Sequence, residues 1–388
     1  QTNRCQIALL PGRAFLLTFR RILAALTVLQ IYYIYKVYTI CYYALKYDKS
    51  CEEDNGLRSP NTVAANNVND ILDIVTPLKL SAYPEATVHV GTQINGVPHI
   101  GTIATHAAAF AVAERIRERH GIPSKVLFTA LDNAPVKSLD RKRNGSTYQI
   151  CAAHAIHAVN LEAYEDLYES YTQETDVPYD IQTYTEQQST PEFRAILKET
   201  IGHPEQALLA HILDPKDGRM KIRVPGVEGY AQKDCSNSNI RGYQFDGLDV
   251  YGEPYSIPLD SASFIDTNTM LRNLVKEVAL ARDNSDLHVI VKGSDWSLGT
   301  PLIDRAASVI GQPTHTMPSR VFSPLILDKA GAKLAKSNMT ETEIADMKAV
   351  AVRPRFARDV LHLMRRMSDS PRDFLRNYTV DEFMGNVE

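Results

Sequence analysis

The chain has 388 residues, of which 44% are hydrophobic and 23% charged, and a formal net charge of −4 at pH 7. This length is enough for one large or two ordinary domains, and without a global basic excess any contact with nucleic acid has to be local. The five cysteines include no CxxC pair, which argues against a disulfide framework and an intact cysteine zinc site and favours a reducing, cytoplasmic compartment.

Residues 1–47 differ from the rest, because they contain no Asp or Glu and carry scattered basic residues in an apolar, tyrosine-rich sequence. Three interpretations of this leader stay open. The first is a tilted anchor through residues 14–46 that brings membrane contact, although the uncharged run 22–35 is too short to span a bilayer unaided. The second is a mitochondrial presequence, which is basic and poor in acids. The third is a fragmentary gene model, since the first methionine is Met220.

Residues 86–140 alternate between strand and helix patterns, after a polar segment at 48–85 that predicts a linker. The helix pattern is apolar all round in its first half, which predicts a buried helix. Strand, crossover helix and strand form the unit of a parallel sheet, so the segment predicts the first half of a Rossmann-like α/β domain. The predicted elements are a strand at 86–92, a helix from Thr102 to about Arg119 and a strand at 124–131.

A long stretch, residues 141–285, interrupts this alternation and predicts an inserted subdomain, which opens with a predicted helix from Tyr148 to Tyr171. The alternation resumes in residues 286–340, which predict the second half of the Rossmann-like domain, and residues 341–388 predict a helical tail. The expected fold is therefore a parallel sheet with helices on both faces and an insertion between its two halves. The predicted elements of the second half are a strand at 287–293, a helix at 300–311 and a strand at 319–327.

The stretch INGVPHIGTIATHAAAF places a histidine, a glycine and a threonine at the start of the first helix. A helix N-terminus presents unpaired N–H groups and the positive end of the helix dipole, which together attract anions. His99 can donate to a phosphate oxygen, Gly101 leaves space for a base or a phosphate, and Thr102 adds a hydroxyl donor. Taken alone, the pattern also fits an ordinary helix entry that uses Pro, Gly and a capping Thr.

Two further loops follow predicted strands. VKGSDWSLG places Gly293 and Asp295 at a strand end, where an aspartate can accept hydrogen bonds from a ribose. DKAGAKLAKS places Lys333 and Lys336 on a glycine-bearing loop that can bring positive charge to a polyphosphate. A strand-ending turn and a solvated basic loop are the alternatives. Because all three loops follow strands of one predicted sheet, we expect them to meet at one edge.

In this order and spacing, residues 86–340 resemble the catalytic domain of class I aminoacyl-tRNA synthetases. PHIGT is similar to their HIGH signature, with Thr102 in place of the second histidine, and GSD is similar to their ribose-contacting strand end. KLAKS is similar to their KMSKS signature, with Leu334 for Met and Ala335 for the first Ser. Within that superfamily the chain most resembles class I lysyl-tRNA synthetases, through NGVPHIG, the LDNAP after the second strand and the TYTEQQS of the insertion.

The resemblance implies activation of an amino acid carboxylate by ATP, with Mg²⁺ bridging the phosphates, pyrophosphate leaving and an aminoacyl-adenylate forming. Transfer to tRNA or to another acceptor would follow. Asp132, at the end of the second strand, either receives the α-ammonium group or caps the loop before Pro135. The resemblance assigns His99, Thr102, Lys333 and Lys336 to catalysis, Gly101, Gly293, Asp295 and Ser337 to ATP, and Thr92, Gln93 and Asp132 to the amino acid, with no metal-ligating residue.

Several departures from the family pattern favour a paralogue that kept the nucleotide chemistry and lost tRNA recognition. The residues after KLAKS are too few for the anticodon-binding domain that the family normally carries. RVPGVEGYAQKDC resembles a zinc ribbon with Gly226 and Gly229 at the CxxC positions. A metal pair at His154 and His157 is a weaker alternative. A nucleotidylyltransferase and a catalytically decayed ATP-binding paralogue also stay open as functions.

Overall fold

The computed structural model describes residues 83–155, 161–328, 330–334, 354–368 and 376–387. The leader and the linker up to residue 82 lie outside the described residues. Within the described ranges, no helix is both long enough and apolar enough to cross a membrane.

The elements are numbered along the described part of the chain. The strands are β1 (Ala86–Gln93), β2 (Ser124–Leu131), β3 (Arg141–Arg143), β4 (Ser146–Ile150), β5 (Tyr179–Thr183), β6 (Ile222–Arg223), β7 (Tyr230–Gln232), β8 (Ile240–Arg241), β9 (Gln244–Leu248), β10 (Pro254–Pro258), β11 (Asp266–Thr267), β12 (Leu287–Gly293), β13 (Ser319–Ser323), β14 (Ile326–Leu327) and β15 (Tyr378–Thr379). The helices are α1 (Ile100–His120), α2 (Glu162–Thr175), α3 (Tyr184–Ser189), α4 (Pro191–Ile201), α5 (Gln206–Leu213), α6 (Thr269–Arg282), α7 (Thr300–Val309), α8 (Pro354–Ser368) and α9 (Val380–Asn386).

A five-stranded sheet in the order β13–β12–β1–β2–β5 forms the centre, and every neighbouring pair in it is parallel. The chain leaves β1 through α1 to β2 on one side and returns much later to β12 on the other side. The direction of winding therefore reverses between β1 and β12, and α/β sheets bind ligands at the carboxyl ends of the strands at such a point. The predicted α/β class with a Rossmann-like parallel sheet is confirmed.

Apolar layers cover both faces of this sheet. Because side chains alternate along a strand, Val88 and Val90 face one layer, whereas His89 and Gly91 face the other. The first layer is built from α1, α2 and α8, and it buries the apolar first half of α1 as the sequence predicts. The second layer is built from α4, α5, α6 and α7. The predicted helices on both faces are thus present.

The strands after the insertion follow the sequence prediction closely, with one difference. The strand at 287–293 is observed as β12, whereas the strand predicted at 319–327 is divided into β13 and β14. Pro324 lies in the gap, and proline cannot donate the hydrogen bond that a continuous central strand needs there.

The helix predicted from Tyr148 to Tyr171 is wrong. Residues 146–150 form β4, which pairs antiparallel with β3 and β7, and α2 begins only at Glu162. Within β4, Tyr148 and Ile150 are buried while Gln149 between them is half-buried, which is the two-residue period of a strand. A short apolar run fits either period, and here the pairing with β7 decides.

The stretch 141–285 is not a wholly separate insertion, because α2 and β5 within it belong to the central sheet and its first layer. The same stretch also supplies α4, α5 and α6 of the second layer. Its remaining described strands form two small antiparallel sheets, β3–β4–β7 and β8–β9–β10, and a two-stranded pair of β6 with β11. In the sequence, α2 and β5 are hard to recognise as a continuation of the helix–strand alternation, because short strands precede and follow them.

Gly226 and Gly229, at the positions compared with a zinc-ribbon CxxC, have packing roles of their own. Gly229 has a φ of 76°, and a Cβ there would lie 2.7 Å from the Cβ of His154. A Cβ on Gly226 would lie 2.9 Å from the ring of Tyr255. The positive φ therefore favours glycine at position 229, and the ring of Tyr255 fills the space beside Gly226. His157, the predicted metal partner of His154, lies outside the described residues.

Candidate active site

A cleft of about 370 Å³ opens at the carboxyl ends of β1 and β12, where the winding reverses. Lys336 and Ser337 lie outside the described residues. The sequence-predicted residues that line the cleft are Thr92, Gln93, His99, Gly101, Thr102, Gly293, Asp295 and Lys333. The three loops thus meet at one edge of the sheet, as expected, while the chemical roles given to their residues stay predictions.

The N-terminus of α1 forms one wall of the cleft. The helix begins at Ile100, two residues earlier than predicted, with His99 as its N-cap residue. Thr102 is therefore the third helical residue rather than the cap, and its N–H belongs to the group that has no partner within a helix. No acidic side chain lies in this first turn. The wall consequently presents a positive helix end to the cleft.

Gly101 gives room to a neighbouring side chain. A Cβ at this position would lie 3.2 Å from Cε1 of His99, so the imidazole ring packs over the bare backbone of the first turn. The sequence assigned this space to an adenine base, whereas in the structure the ring of His99 lies against it.

The strand end after β12 meets the lysine loop in an ion pair. Nζ of Lys333 lies 2.5 Å from Oδ2 of Asp295, and the side chain of Lys333 is 51% exposed. Exposed pairs of this kind contribute only about 0–1 kcal/mol, so a phosphate or a ribose can replace either partner at little cost. A Cβ on Gly293 would lie 2.6 Å from Oδ1 of Asp295, which means that the carboxylate lies directly over the glycine.

Asp132 lies outside the cleft. It is 6% exposed, and its carboxylate accepts hydrogen bonds from the backbone N–H (3.1 Å) and the hydroxyl (2.5 Å) of Thr185 at the start of α3. Burial raises the pKa of this carboxyl, and the bonds from Thr185 oppose that shift. The prediction that Asp132 binds an α-ammonium group gains no support from this position, because its oxygens face α3.

Sequence reasoning missed the wall formed by one face of α6. Thr269, Arg272, Asn273 and Lys276 line the cleft at the i, i+3, i+4 and i+7 spacing of a helix. Arg272 is 6% exposed, and its guanidinium lies 5.7 Å from the ring centre of Tyr184. A polar stripe on this helix was visible in the sequence, but the same stripe is typical of a helix that faces water.

Lys292 of β12 also lines the cleft, and a buried carboxylate holds it. Glu277 is fully buried and pairs with Lys292 and with Nη2 of Arg320 at 2.5 Å. Arg320 pairs in turn with Asp304 at 2.8 Å. Burial alone raises the pKa of Glu277, but the two cations lower it to about 2, so this carboxylate stays charged.

Two nitrogen bases in the cleft have strongly lowered pKa values. Burial, with a smaller contribution from His99, lowers the pKa of His106 to about 3, so the His106 ring is neutral, and its Nδ1 lies 2.8 Å from the hydroxyl of Tyr168. Burial and the nearby charge of Lys292 lower the pKa of Lys276 to about 8. Lys276 is therefore mostly charged at pH 7 but close to its titration range.

Gly91 and Thr129 of the central sheet complete the floor of the cleft. Gly91 of β1 is paired in register with Thr129 of β2, and a Cβ on Gly91 would lie 3.2 Å from the carbonyl oxygen of Thr129. A glycine inside a strand pattern is a sequence signal for close approach that could have indicated this position. In the wall formed by α1, the hydroxyl of Thr105 lies 2.8 Å from the hydroxyl of Ser323, and this hydrogen bond fixes α1 against β13.

No protein-family model and no curated protein matches the sequence. Solved structures to which the chain is similar are aminoacyl-tRNA synthetases. The methionyl-tRNA synthetase of Mycobacterium tuberculosis, in complex with methionyl-adenylate, is 14% identical with a TM-score of 0.38, over 79% of this chain and 68% of that chain. The tyrosyl-tRNA synthetase of Archaeoglobus fulgidus, complexed with L-tyrosine, is 12% identical with a TM-score of 0.38, over 80% and 81%.

A third similar structure is a glutamate tRNA ligase from Elizabethkingia meningosepticum in complex with its amino acid. It is 13% identical with a TM-score of 0.30, over 65% of this chain and 52% of that chain. Likeness at this level of identity concerns the path of the chain alone. What this protein does has to follow from its own residues, and the lysyl assignment stays a prediction.

Proposed function

We propose that this protein activates an amino acid with ATP, as an aminoacyl-adenylate. The observation that carries the proposal is the meeting of the α1 N-terminus, Gly293 with Asp295, and Lys333 in one cleft at the reversal point of a parallel sheet. Each element suits a different part of ATP, since a helix N-terminus and a lysine bind phosphates and a strand-end carboxylate binds a ribose diol.

In the proposed reaction a carboxylate oxygen of the amino acid attacks the α-phosphorus of ATP. A new oxygen–phosphorus bond forms, the bond to the bridging oxygen breaks, and pyrophosphate leaves with the electron pair. Little covalent help from the protein is needed, because the work lies in aligning two anions and stabilising the charge that develops on the phosphate oxygens. Transfer to tRNA or to another acceptor would be a later step.

Within this scheme His99 and the N–H of Thr102 hold the triphosphate, and Gly293 and Asp295 hold the ribose. Lys333 exchanges its contact with Asp295 for one with the departing pyrophosphate. Lys336 is assigned to the same pyrophosphate, and Ser337 to support of the loop. Thr92 and Gln93, at the end of β1, lie beside the amino acid. Because His106 is neutral, it acts here as a hydrogen-bonding group rather than as a charge.

Magnesium is proposed to enter with ATP. Among the described residues, no group of three or more His, Cys, Asp and Glu side chains is placed to hold a metal ion, and Asp295 is the one carboxylate lining the described cleft. Mg²⁺ keeps several waters and takes ligands from substrate phosphates, so it can bind through ATP while Asp295 holds the ribose. When bound, it would neutralise charge on the phosphates of ATP.

The test is ATP–pyrophosphate exchange with the full chain, run separately with each of the twenty amino acids. We expect exchange that depends on one amino acid or one chemical class of amino acids. Trp296 lines the cleft and is the single tryptophan, so its fluorescence reports ATP binding independently. ATP binding without any exchange would indicate the decayed paralogue, and pyrophosphate release driven only by a phosphate-bearing acceptor would indicate a nucleotidylyltransferase. Either result would contradict the proposal.

A further inference from the structure

The charges that line the described cleft do not balance. The carboxylate of Asp295 is matched by Lys333, and the pair Glu277 and Asp304 is matched by Lys292 and Arg320. Two cations remain, Arg272 and Lys276, and no described residue makes an ion pair or a side-chain hydrogen bond with either of them. Asp266 is the carboxylate whose charge raises the pKa of Arg272, but it already pairs with Arg223 at 2.5 Å.

These two cations are held out of bulk water, which makes the lack of a carboxylate partner costly. Arg272 is 6% exposed and Lys276 is partly buried, and burial lowers the pKa of Lys276. Buried charges in proteins are normally paired, since an unpaired one loses its hydration without compensation. A ligand with a negative group would remove this cost.

The two cations lie on the opposite side of the sheet from the helix that is proposed to hold ATP. Both cations belong to α6, which packs in the second layer, whereas α1 packs in the first layer with Val88 and Val90. The cleft therefore passes over the edge of the sheet. His99 and Thr102 line it on the α1 side, and Arg272 and Lys276 line it on the α6 side.

We infer that the amino acid activated here has an acidic side chain, whose carboxylate pairs with Arg272 and Lys276. This inference rests on the proposed function. If the α-carboxylate meets the α-phosphate at the sheet edge, the side chain has to extend away from ATP, toward the α6 side. A planar guanidinium and an ammonium group on adjacent turns of one helix suit a carboxylate, which accepts several bonds at once.

The same arrangement disfavours lysine, the substrate that the sequence resemblance implies. A lysine side chain would bring a third positive charge beside Arg272 and Lys276. The only carboxylate of the described lining is Asp295, which is already paired with Lys333. Selection for a cationic substrate normally needs a carboxylate left free for it.

The experiment compares exchange driven by aspartate and glutamate with exchange driven by their amides and by lysine. We expect an acidic amino acid to be preferred over its own amide by about 10- to 100-fold, as is typical for hydrogen bonds to a charged group. Lys276→Gln and Arg272→Gln should each reduce that preference by about 10-fold or more, while Lys276→Arg keeps most of it. Arg282→Gln, at the end of the same helix and paired with Glu199, is the matched control and should leave the preference unchanged.

The outcomes separate the two proposals. Exchange driven best by lysine or by a neutral amino acid would overturn this inference and leave the proposed function intact, whereas no exchange with any amino acid would overturn both. ATP binding, measured by Trp296 fluorescence without amino acid, is expected to be unchanged in Lys276→Gln. If that variant weakens ATP binding as much as it weakens exchange, the two cations bind phosphate and the inference is wrong. Retained ATP binding also shows that each variant is folded.

Discussion

Glu277 offers a quantitative test of how the cleft is held together. It is fully buried between Lys292, which lines the cleft, and Arg320 of β13. Replacing it with glutamine keeps the shape but leaves two buried cations facing a neutral amide. Removing one partner of a buried ion pair typically costs about 3–5 kcal/mol of folding free energy.

The lowered pKa of Glu277 gives a second order-of-magnitude figure for the contribution of its charge to the folding free energy. Its pKa falls from 4.5 to about 2 on folding, and at about 1.4 kcal/mol for each pH unit the charged form stabilises the fold by about 3 kcal/mol. Because the pKa is depressed in the folded state, this stability is fully present above pH 4.5. It is lost as the pH falls toward 2. Both considerations give a stabilisation on the order of 3 kcal/mol.

The assay is urea unfolding of the full chain at a series of pH values from 7 to about 3, followed by the fluorescence of Trp296, for the wild type and Glu277→Gln. Glu199→Gln is the matched control, because Glu199 makes an exposed pair with Arg282 that is expected to contribute at most about 1 kcal/mol. We expect the difference between wild type and Glu277→Gln to be constant from pH 7 to 5 and to shrink below pH 4.5. A loss in Glu277→Gln no larger than in Glu199→Gln would refute the assignment of a buried, charged network beside the cleft.

Three further predictions concern the cleft itself. Lys333→Met should lower the exchange rate by about 100-fold with little effect on ATP binding, as for other groups that stabilise developing charge, and an unchanged rate would remove this lysine from the reaction. Gly293→Ala places a Cβ 2.6 Å from Oδ1 of Asp295, so it should displace the carboxylate and weaken ATP binding about 10-fold in a fluorescence titration; equal affinity would contradict the ribose contact. With a pKa of about 8, Lys276 loses its charge as the pH rises, so KM for an acidic amino acid should increase above pH 8. A KM that stays flat to pH 9.5 would show that this ammonium group does not bind the substrate.

The part of the site that was predictable from the sequence is the part that depends on strand order. Each of the three loops follows a strand, and in a parallel sheet all carboxyl ends lie at one edge. Knowing that the strands are parallel is therefore enough to bring His99 and Gly293 together, without any knowledge of how the helices pack. Lys333 follows β14, which pairs with β15 outside the central sheet, so strand order alone does not place it. The same reasoning does not bring Asp132 into the cleft, because its carboxylate accepts hydrogen bonds from Thr185 at the start of α3. Its assignment to the amino acid stays a prediction.

Local patterns were insufficient where two structures satisfy the same sequence. Residues 146–150 have an apolar spacing that fits a helix or a strand, and only pairing with β7 selects the strand. Likewise, Pro324 divides the final strand, although the apolar run continues across it.

The sequence by itself determined the α/β class, the buried first helix and the edge of the sheet at which the cleft opens, because alternating strands and helices leave few ways to bury their apolar residues. Only the tertiary structure decided that the polar face of α6 lines the cleft. The sequence pattern that places Arg272 and Lys276 on one helix face is the same whether that face contacts water or a substrate. The packing of α6 over the sheet buries these charges, and the lack of a carboxylate beside them is the basis for inferring an acidic substrate.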